Sequence, residues 1–155
     1  AGAMGMPQFI SSSFRRYAVD FNDDGQRDIW TSIDDVIGSV ANYLAVHGWK
    51  AGEAITAPAA VSGDAWASVV EQGLKPAYTL AELRGLGVTP ARETRYQGRS
   101  SLVELEQPGG VEHWLAFQNF YTITRYNHSA LYAMAVTQLA ERIRESYANA
   151  TRAAP

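Results

Sequence analysis

Apolar residues recur at helical spacing in the first fifty residues, on both sides of a polar stretch. Pro7 suits the first position of a helix because it lacks the N–H that would stay unpaired there, and the helical period then continues as far as Ala18. Ser32 and Asp35 fit a helix-capping pattern. The apolar stripe that follows consists of Ile33, Val36, Ile37, Val40, Ala41 and Leu44. The pattern predicts two helices, and the second is expected to face a hydrophobic core.

The pattern changes after residue 50. Residues 51–63 are small and turn-prone, and we expect two short connecting helices after them. Asp64 could cap the first, at 64–75, and a capping box of Thr79 with Glu82 opens the second, at 79–84. Apolar residues at 102–105 and at 111–117 flank a Gln-Pro-Gly-Gly turn, which indicates a β-hairpin.

Helical spacing returns after Ser129 and continues to about Tyr147, and the residues that follow are expected to fray. One face of this helix comprises Leu131, Met134, Ala135, Gln138, Leu139 and Ile143. The fold class predicted is α+β, mainly α. We expect one domain made of segments 1–50, 51–95, 96–118 and 119–155.

Composition excludes several classes of protein. The 155 residues are 46% hydrophobic and 19% charged, which is typical of a globular domain. A net charge of −3 leaves no basic stripe for nucleic acid. The lack of cysteine excludes disulfides and thiolate sites. No apolar run reaches the roughly 18 residues of a membrane-spanning helix, so we expect no span in this chain.

The polar stretch between the first two helices has the spacing of an EF-hand loop. Such a loop supplies oxygen ligands from positions 1, 3 and 5, a glycine at 6 and a carbonyl at 7. Those positions are Asp20, Asn22, Asp24, Gly25 and Gln26. Calcium requires six to eight oxygen ligands, and short acidic side chains on a tight loop can supply them. The sequence therefore predicts a calcium site.

Position 12 of the loop, where a bidentate glutamate is usual, is Thr31. Asp34 and Asp35 are the candidates to complete the site, and Asp28 at position 9 could act through a water molecule. A solvated acidic turn without a metal is the alternative, because Asn, Asp and Gly are common turn residues. Magnesium fits less well because it demands compact octahedral geometry.

Three segments carry a resemblance to a known family. They are AGAMGMPQFISSSFRRYAVDFNDDGQRDIW at 1–30, GSVANYLAVHGW at 38–49 and NFYTITRYNHSALYAMAV at 119–136. The chain resembles the MltB-type lytic transglycosylases of the bacterial cell wall over almost its whole length. The resemblance implies a lysozyme-like fold and a groove for peptidoglycan glycan strands, in the periplasm. It also implies a structural calcium ion in the loop, and by alignment Asp35 fits the last ligand position better than Asp34.

The resemblance also implies a reaction. A single glutamate protonates the β-1,4 glycosidic oxygen between N-acetylmuramic acid and N-acetylglucosamine, and the muramyl O6 attacks C1 to give a 1,6-anhydro product. In the family this glutamate precedes the AGAMG motif, whereas the first glutamate here is Glu53. The expected partner is therefore an N-terminal part of the same enzyme, and this chain alone is expected to be inactive.

The sugar-binding positions of the family match Gln8, Tyr43, Tyr126, Asn127 and Tyr132, with Met4 as a weaker addition. Tyrosine rings offer apolar faces to sugar C–H groups, while hydroxyl and amide groups bond to sugar oxygens. The alternative is that the tyrosines belong to the core and that Gln8 caps a backbone group. At the level of the whole chain, the alternatives are a non-catalytic peptidoglycan-binding module and a calcium-stabilised interaction domain resembling dockerins.

Overall fold

The computed structural model describes residues 2–153, and these divide into two compact units between Trp49 and Lys50. The first unit contains two helices, and the second contains four strands and four helices. In chain order the elements are α1 (Ser11–Tyr17), α2 (Ile33–Val46), β1 (Thr56–Val61), α3 (Ala67–Glu71), α4 (Leu80–Gly85), β2 (Val88–Pro90), β3 (Ser101–Gln107), β4 (Gly110–Ala116), α5 (Gln118–Tyr126) and α6 (Ala130–Ala153). The predicted α+β class is confirmed.

The first helix is shorter than predicted because the chain makes a tight turn before it. Met4 and Phe9 form an antiparallel bridge, with hydrogen bonds of 2.8 and 3.0 Å between their backbone groups. Gln8, inside this bridge, has a φ of 54°, which a helix cannot accommodate. Helix α1 therefore begins at Ser11 and not just after Pro7.

Helix α2 has the predicted bounds, and Ser32 caps it by accepting a hydrogen bond from the Asp35 N–H. The predicted core-facing stripe is wrong, because Ile33 and Ile37 are 55% and 60% exposed. The buried face instead carries Asp35, Gly38, Ser39 and Tyr43. The reason is that this face satisfies backbone donors of the preceding loop, among them the Val19 N–H, which bonds to the Ser39 hydroxyl at 3.0 Å.

The second unit is built on an antiparallel sheet with the strand order β2-β1-β4-β3. The predicted hairpin is confirmed, with Leu102 opposite Leu115 and Gln107 opposite Gly110. Strand β1 was not predicted, because residues 56–61 lack the large alternating side chains of a strand. It forms because it pairs on both sides, with β2 and with β4.

Helices and sheet of the second unit enclose an apolar core. Its buried members are Val69, Leu83, Val88, Tyr96, Leu102, Leu115 and Phe117. The predicted capping box at Thr79 and Glu82 is present at the start of α4. The helix expected at 64–75 is reduced to Ala67–Glu71, and Gly73 with a φ of 83° lies just beyond its end.

Two helices complete the second unit. Helix α5 was not predicted, because residues 118–126 follow the hairpin without a capping signal. Its N-cap residue, Phe117, makes no side-chain capping hydrogen bond. Helix α6 was predicted to end near Tyr147 but continues to Ala153. Its buried face carries Ala133, Met134 and Thr137. Within residues 2–153, no helix combines the length and the apolar character that a membrane crossing requires.

Candidate metal loop and saccharide-binding residues

The loop after α1 is wound around the side chains that were predicted as metal ligands. The Asp20 carboxylate accepts hydrogen bonds from the N–H groups of Asp24 at 3.1 Å and Gly25 at 2.8 Å. The Asn22 amide oxygen accepts from the Asp24 N–H at 3.2 Å, and the Asp24 carboxylate accepts from the Gln26 N–H at 2.8 Å. Gly25 has a φ of 88°, a conformation that favours glycine. The loop therefore has the tight turn that positions 1 to 7 require.

Asp35 joins the beginning and the end of the loop to helix α2. Its side chain is fully buried, and its two carboxylate oxygens accept the backbone N–H groups of Phe21 and Asp28, both at 2.8 Å. The Phe21 N–H, above all, holds the pKa of the Asp35 carboxyl below its usual value. Asp34, the other candidate, is exposed. Of the two, only Asp35 contacts the loop.

The last part of the loop is organised by Asp28. Its carboxylate accepts the N–H groups of Trp30 at 2.8 Å and Thr31 at 2.9 Å, and also the Thr31 hydroxyl. The Thr31 hydroxyl is the main reason why the pKa of Asp28 lies below its usual value. Positions 9 and 12 of the loop therefore bond to each other, an interaction that the sequence analysis did not foresee.

The donor chemistry of this loop suits a hard cation. The predicted ligands offer only oxygen atoms, from three carboxylates, one amide and one backbone carbonyl, and calcium is bound by such groups. In the described part of the chain, no three histidine, aspartate or glutamate side chains are gathered closely enough to hold a metal ion. The carboxylate oxygens of Asp20, Asp24 and Asp35 instead accept backbone N–H groups.

Gln8 is presented by a rigid turn in the first unit. Its side chain is exposed, and its amide donates to the Gly5 carbonyl at 2.8 Å. A Cβ atom at Gly5 would lie 2.4 Å from the Ile29 carbonyl oxygen, so only glycine fits there. Met4, in the bridge to Phe9, is half-buried. Gln8 has a positive φ, which is a strained backbone conformation for a residue other than glycine. Such strained residues are often found at functional sites.

Tyr43 lies in an aromatic cluster of the first unit. Its ring stacks on His47 with centroids 4.0 Å apart, and it contacts the Tyr17 ring at 4.7 Å and the Phe9 ring at 6.0 Å. The Tyr43 residue is only 9% exposed. Most of its ring therefore serves the packing of the first unit, and little of its surface is available to a ligand.

The other three predicted sugar-binding residues lie at the junction of α5 and α6 in the second unit. Tyr126 is the last residue of α5 and is half-buried, and Asn127 is the exposed C-cap. Tyr132, in the first turn of α6, is 36% exposed, and its backbone N–H donates to the Ser129 hydroxyl at 3.2 Å. The short connection at 127–129 keeps these three residues within one short segment of the chain.

A residue that the sequence analysis missed is Asn119, which is fully buried in α5. Its amide donates to the carbonyls of Lys50 at 2.8 Å and Glu53 at 3.0 Å, and its oxygen accepts the Lys50 N–H at 2.8 Å. No local pattern marked it, because its hydrogen-bond partners lie 69 and 66 residues away along the chain. Asn119 fixes the turn at the start of the second unit.

Comparison with known proteins identifies the family. Residues 1–141 match the family described as Transglycosylase SLT domain. The chain is 43% identical over 143 residues to the membrane-bound lytic murein transglycosylase B of Escherichia coli K12, a match that covers 92% of this chain and 38% of that protein. It therefore spans less than half the length of this relative.

Solved structures agree with this match. The soluble lytic transglycosylase SltB1 of Pseudomonas aeruginosa, in its catenated form, superposes with a TM-score of 0.87 at 45% identity, over 94% of this chain and 48% of that one. Escherichia coli Slt35 in complex with calcium gives a TM-score of 0.77 at 41% identity, over 94% and 45%. Pseudomonas aeruginosa SltB3 in complex with NAG-NAM-pentapeptide gives 0.76 at 35% identity, over 93% and 39%. The chain belongs to the SLT lytic transglycosylase family and has its lysozyme-like fold.

Proposed function

We propose that this chain is the part of a peptidoglycan lytic transglycosylase that supplies sugar-binding residues and a calcium site. The enzyme cleaves the β-1,4 bond between N-acetylmuramic acid and N-acetylglucosamine and leaves a 1,6-anhydro product. The observation that carries the proposal is the match of residues 1–141 to the transglycosylase family. Its substrate is peptidoglycan that still carries peptides on the muramyl sugar, as in the ligand of the SltB3 complex.

Each unit by itself carries residues that we propose as sugar contacts. In the first unit they are Gln8, Tyr43 and Met4, and in the second they are Tyr126, Asn127 and Tyr132. The exposed amides of Gln8 and Asn127 can donate to and accept from N-acetyl and hydroxyl groups, while the partly exposed Tyr126 and Tyr132 offer ring surface and a hydroxyl. Tyr43 is packed among other rings and contributes only the small part of its surface that stays exposed. These contacts hold the sugar while a proton is transferred elsewhere.

The general acid of this reaction is a carboxylate outside the present chain. Residues 1–52 contain no glutamate, whereas the family's acid precedes the AGAMG motif. One acid is enough, because the nucleophile is the muramyl O6 of the substrate and no second carboxylate has to activate a water molecule. This chain alone should therefore bind glycan without cleaving it.

We propose that calcium occupies the loop at 20–35. The ligands are the side chains of Asp20, Asn22, Asp24 and Asp35 and the Gln26 carbonyl. Asp35 supports this role because it is buried, its depressed pKa keeps it ionised, and it links the loop to α2. When bound, the ion adds positive charge that holds the loop in one conformation. It takes no part in the reaction.

A calcium titration followed by thermal unfolding tests this site. Because calcium binds only the folded loop, an ion concentration of about 100 times Kd should add about 2.7 kcal/mol to the free energy of unfolding, and a chelator should reverse it. Asp35→Asn should abolish the shift, while Asp34→Asn should keep it. A melting temperature that does not respond to calcium or chelator would contradict a filled site.

The proposed substrate fits the periplasm, where we place the enzyme. Peptidoglycan lies in that compartment, and the similar Escherichia coli protein is named as a membrane-bound murein transglycosylase. Cells that produce the protein with its natural flanking segments can be fractionated, and the fraction that contains the protein would test this location.

Binding and cleavage test the main proposal separately. The 155-residue chain should bind the disaccharide of N-acetylglucosamine and N-acetylmuramic acid in a calorimetric titration but release no anhydromuropeptides from purified sacculi. Adding the remaining part of the Escherichia coli relative should restore release.

Asn127→Ala should weaken binding about three- to tenfold, the cost of one or two polar contacts, while Asn149→Ala, at an exposed position of α6, should not. A chain that binds no glycan overturns the proposal.

A further inference from the structure

A cavity in the second unit, separate from the residues proposed above, lacks an assigned role. It has a volume of about 490 Å³, within the range of small-ligand sites. Its two walls are the turn at 50–54 and the loop at 94–98. We propose that this cavity binds the carboxylate-bearing peptide attached to the muramyl sugar. This inference rests on the proposed function, because the peptide arrives with the glycan.

The first wall is fixed by a buried polar side chain. Asn119 makes three hydrogen bonds of 2.8 to 3.0 Å to backbone groups of Lys50 and Glu53. A buried amide that satisfies a loop in this way holds it in one conformation, since breaking the bonds would leave buried polar groups unpaired. The turn is therefore a preformed wall.

The second wall is fixed by Tyr96. Its ring stacks on Phe117 with centroids 4.0 Å apart, its hydroxyl donates to the Arg99 carbonyl at 3.2 Å, and the same oxygen accepts the Gln118 N–H at 3.3 Å. A Cβ at Gly98 would lie 2.4 Å from the Tyr96 hydroxyl. Both walls are thus attached to residues 117–119, which sets the distance between them.

The charges of the cavity favour an anion. Lys50 and Glu53, in the first wall, form a loose ion pair at 3.7 Å with both side chains exposed, so their charges offset each other. Arg95, in the second wall, is exposed and has no ion pair with any residue between 2 and 153. Its guanidinium is therefore the uncompensated charge, and its fork of donors matches a carboxylate in bidentate geometry.

The chemistry of the walls favours a peptide over a purely apolar ligand. Glycines at 52 and 98, Ala54, Tyr96 and the Thr94 and Gln97 side chains line the cavity. Such a lining combines apolar surface with hydrogen-bond donors and acceptors, and a peptide presents both kinds of group. A peptide joined to a sugar through its amino end has a free carboxylate at its other end, and that group would meet Arg95.

Three probes of the intact 155-residue chain separate sugar from peptide. They are the disaccharide N-acetylglucosaminyl-N-acetylmuramic acid, the same disaccharide with a pentapeptide, and that glycopeptide with its carboxyl groups amidated. We expect the free-acid glycopeptide to bind about tenfold more tightly than the other two, which is the range of one charge-assisted pair. Calorimetry at low and physiological salt would give each Kd.

Variants of the loop locate the effect. Arg95→Gln should remove most of the tenfold preference, and Arg95→Lys should keep part of it, since the charge remains but the fork is lost. Arg92→Gln is the matched control, an exposed arginine of the same loop that does not line the cavity, and it should keep the preference. Unchanged melting temperatures of all three variants would show that the fold is intact.

The outcomes are distinguishable. If the plain disaccharide and the glycopeptide bind equally, the peptide site is overturned while the proposed function stands. If Arg92→Gln reduces the preference for the free-acid glycopeptide as much as Arg95→Gln does, the preference comes from the general charge of the loop. The proposed peptide site is then overturned as well. If no probe binds, the proposed function itself fails.

Discussion

The two units bury different kinds of surface. In the second unit the core is a cluster of apolar side chains between a sheet and short helices, with Leu83, Leu115 and Phe117 fully buried. In the first unit the buried face of α2 carries Asp35 and Ser39, which bond to backbone N–H groups of the loop. The second interior depends on removal of apolar surface from water, whereas the first combines a cluster of aromatic rings with hydrogen bonds to a buried carboxylate.

This difference has a functional reason. An apolar core offers no carboxylate to protons or metal ions, so its stability depends little on either of them. A loop held by a carboxylate responds to any ion or proton that competes for that carboxylate. The first unit can therefore be stabilised by a cation in a way that the second cannot.

Truncation of the apolar core should have the largest effect. Leu115→Ala removes a fully buried side chain from the sheet and should lower the free energy of unfolding by about 2–5 kcal/mol, because a cavity remains. Val111→Ala, in the same strand but 52% exposed, should change it by less than about 0.5 kcal/mol. Chemical denaturation measures both. Equal effects would show that the sheet does not carry the core.

Asp35→Asn should be the next largest. An asparagine has one acceptor oxygen, so its NH₂ group would face the N–H of either Phe21 or Asp28, both of which now donate to the carboxylate. We expect a melting temperature lower by on the order of 5 °C even without calcium. Asp34→Asn is the control at the exposed neighbouring position. If both variants melt alike, the loop does not depend on Asp35.

Acid should reduce the same contribution. Because the pKa of Asp35 is lowered in the folded state, its stabilisation is fully present above the ordinary aspartate pKa of about 3.9. It is lost as the pH falls through the folded value. The gap in melting temperature between the wild type and Asp35→Asn should therefore stay constant from neutral pH to about pH 4 and close below it. A gap that widens in acid would reverse the sign of the argument.

Loss of a helix cap in the second unit should be the smallest effect. The Thr79 hydroxyl accepts the Glu82 N–H at 3.2 Å, and the Glu82 carboxylate accepts the Thr79 N–H at 2.7 Å, which keeps the pKa of Glu82 low. Thr79→Ala should cost about 1 kcal/mol. Thr79→Ser, which keeps the hydroxyl, should recover most of it, as urea unfolding would show. An equal loss in both variants would exclude a role for the hydroxyl.

Local signals in the sequence predicted some elements well. The Thr79 capping box, the turn at 107–110 and the bounds of α2 were all confirmed, because each depends on residues close together in the chain. Strand β1 and helix α5 were missed. Strand β1 is stabilised by partners about 30 and 55 residues away along the chain, and no local pattern encodes such pairing.

The face that a helix buries was also beyond the sequence. Ile33 and Ile37 suggested a core, yet they are exposed and Asp35 is buried. The reason is that the Asp35 carboxylate accepts backbone N–H groups of the loop before α2. For the candidate site, the oxygen donors at 20–26 could be read from spacing alone. Alignment favoured Asp35 over Asp34, and the tertiary structure adds that the Asp35 carboxylate accepts backbone N–H groups of the loop.

The sequence by itself determined the family, the loop's ligand types and the elements with local signals, because these depend on residue identity and short spacing. Only the tertiary structure decided that Asp35 holds both ends of the loop, that Tyr43 is packed among other rings, and that Asn119 and Tyr96 shape a cavity. These features arise from groups distant along the chain, whose meeting is set by the whole fold and not by any single segment.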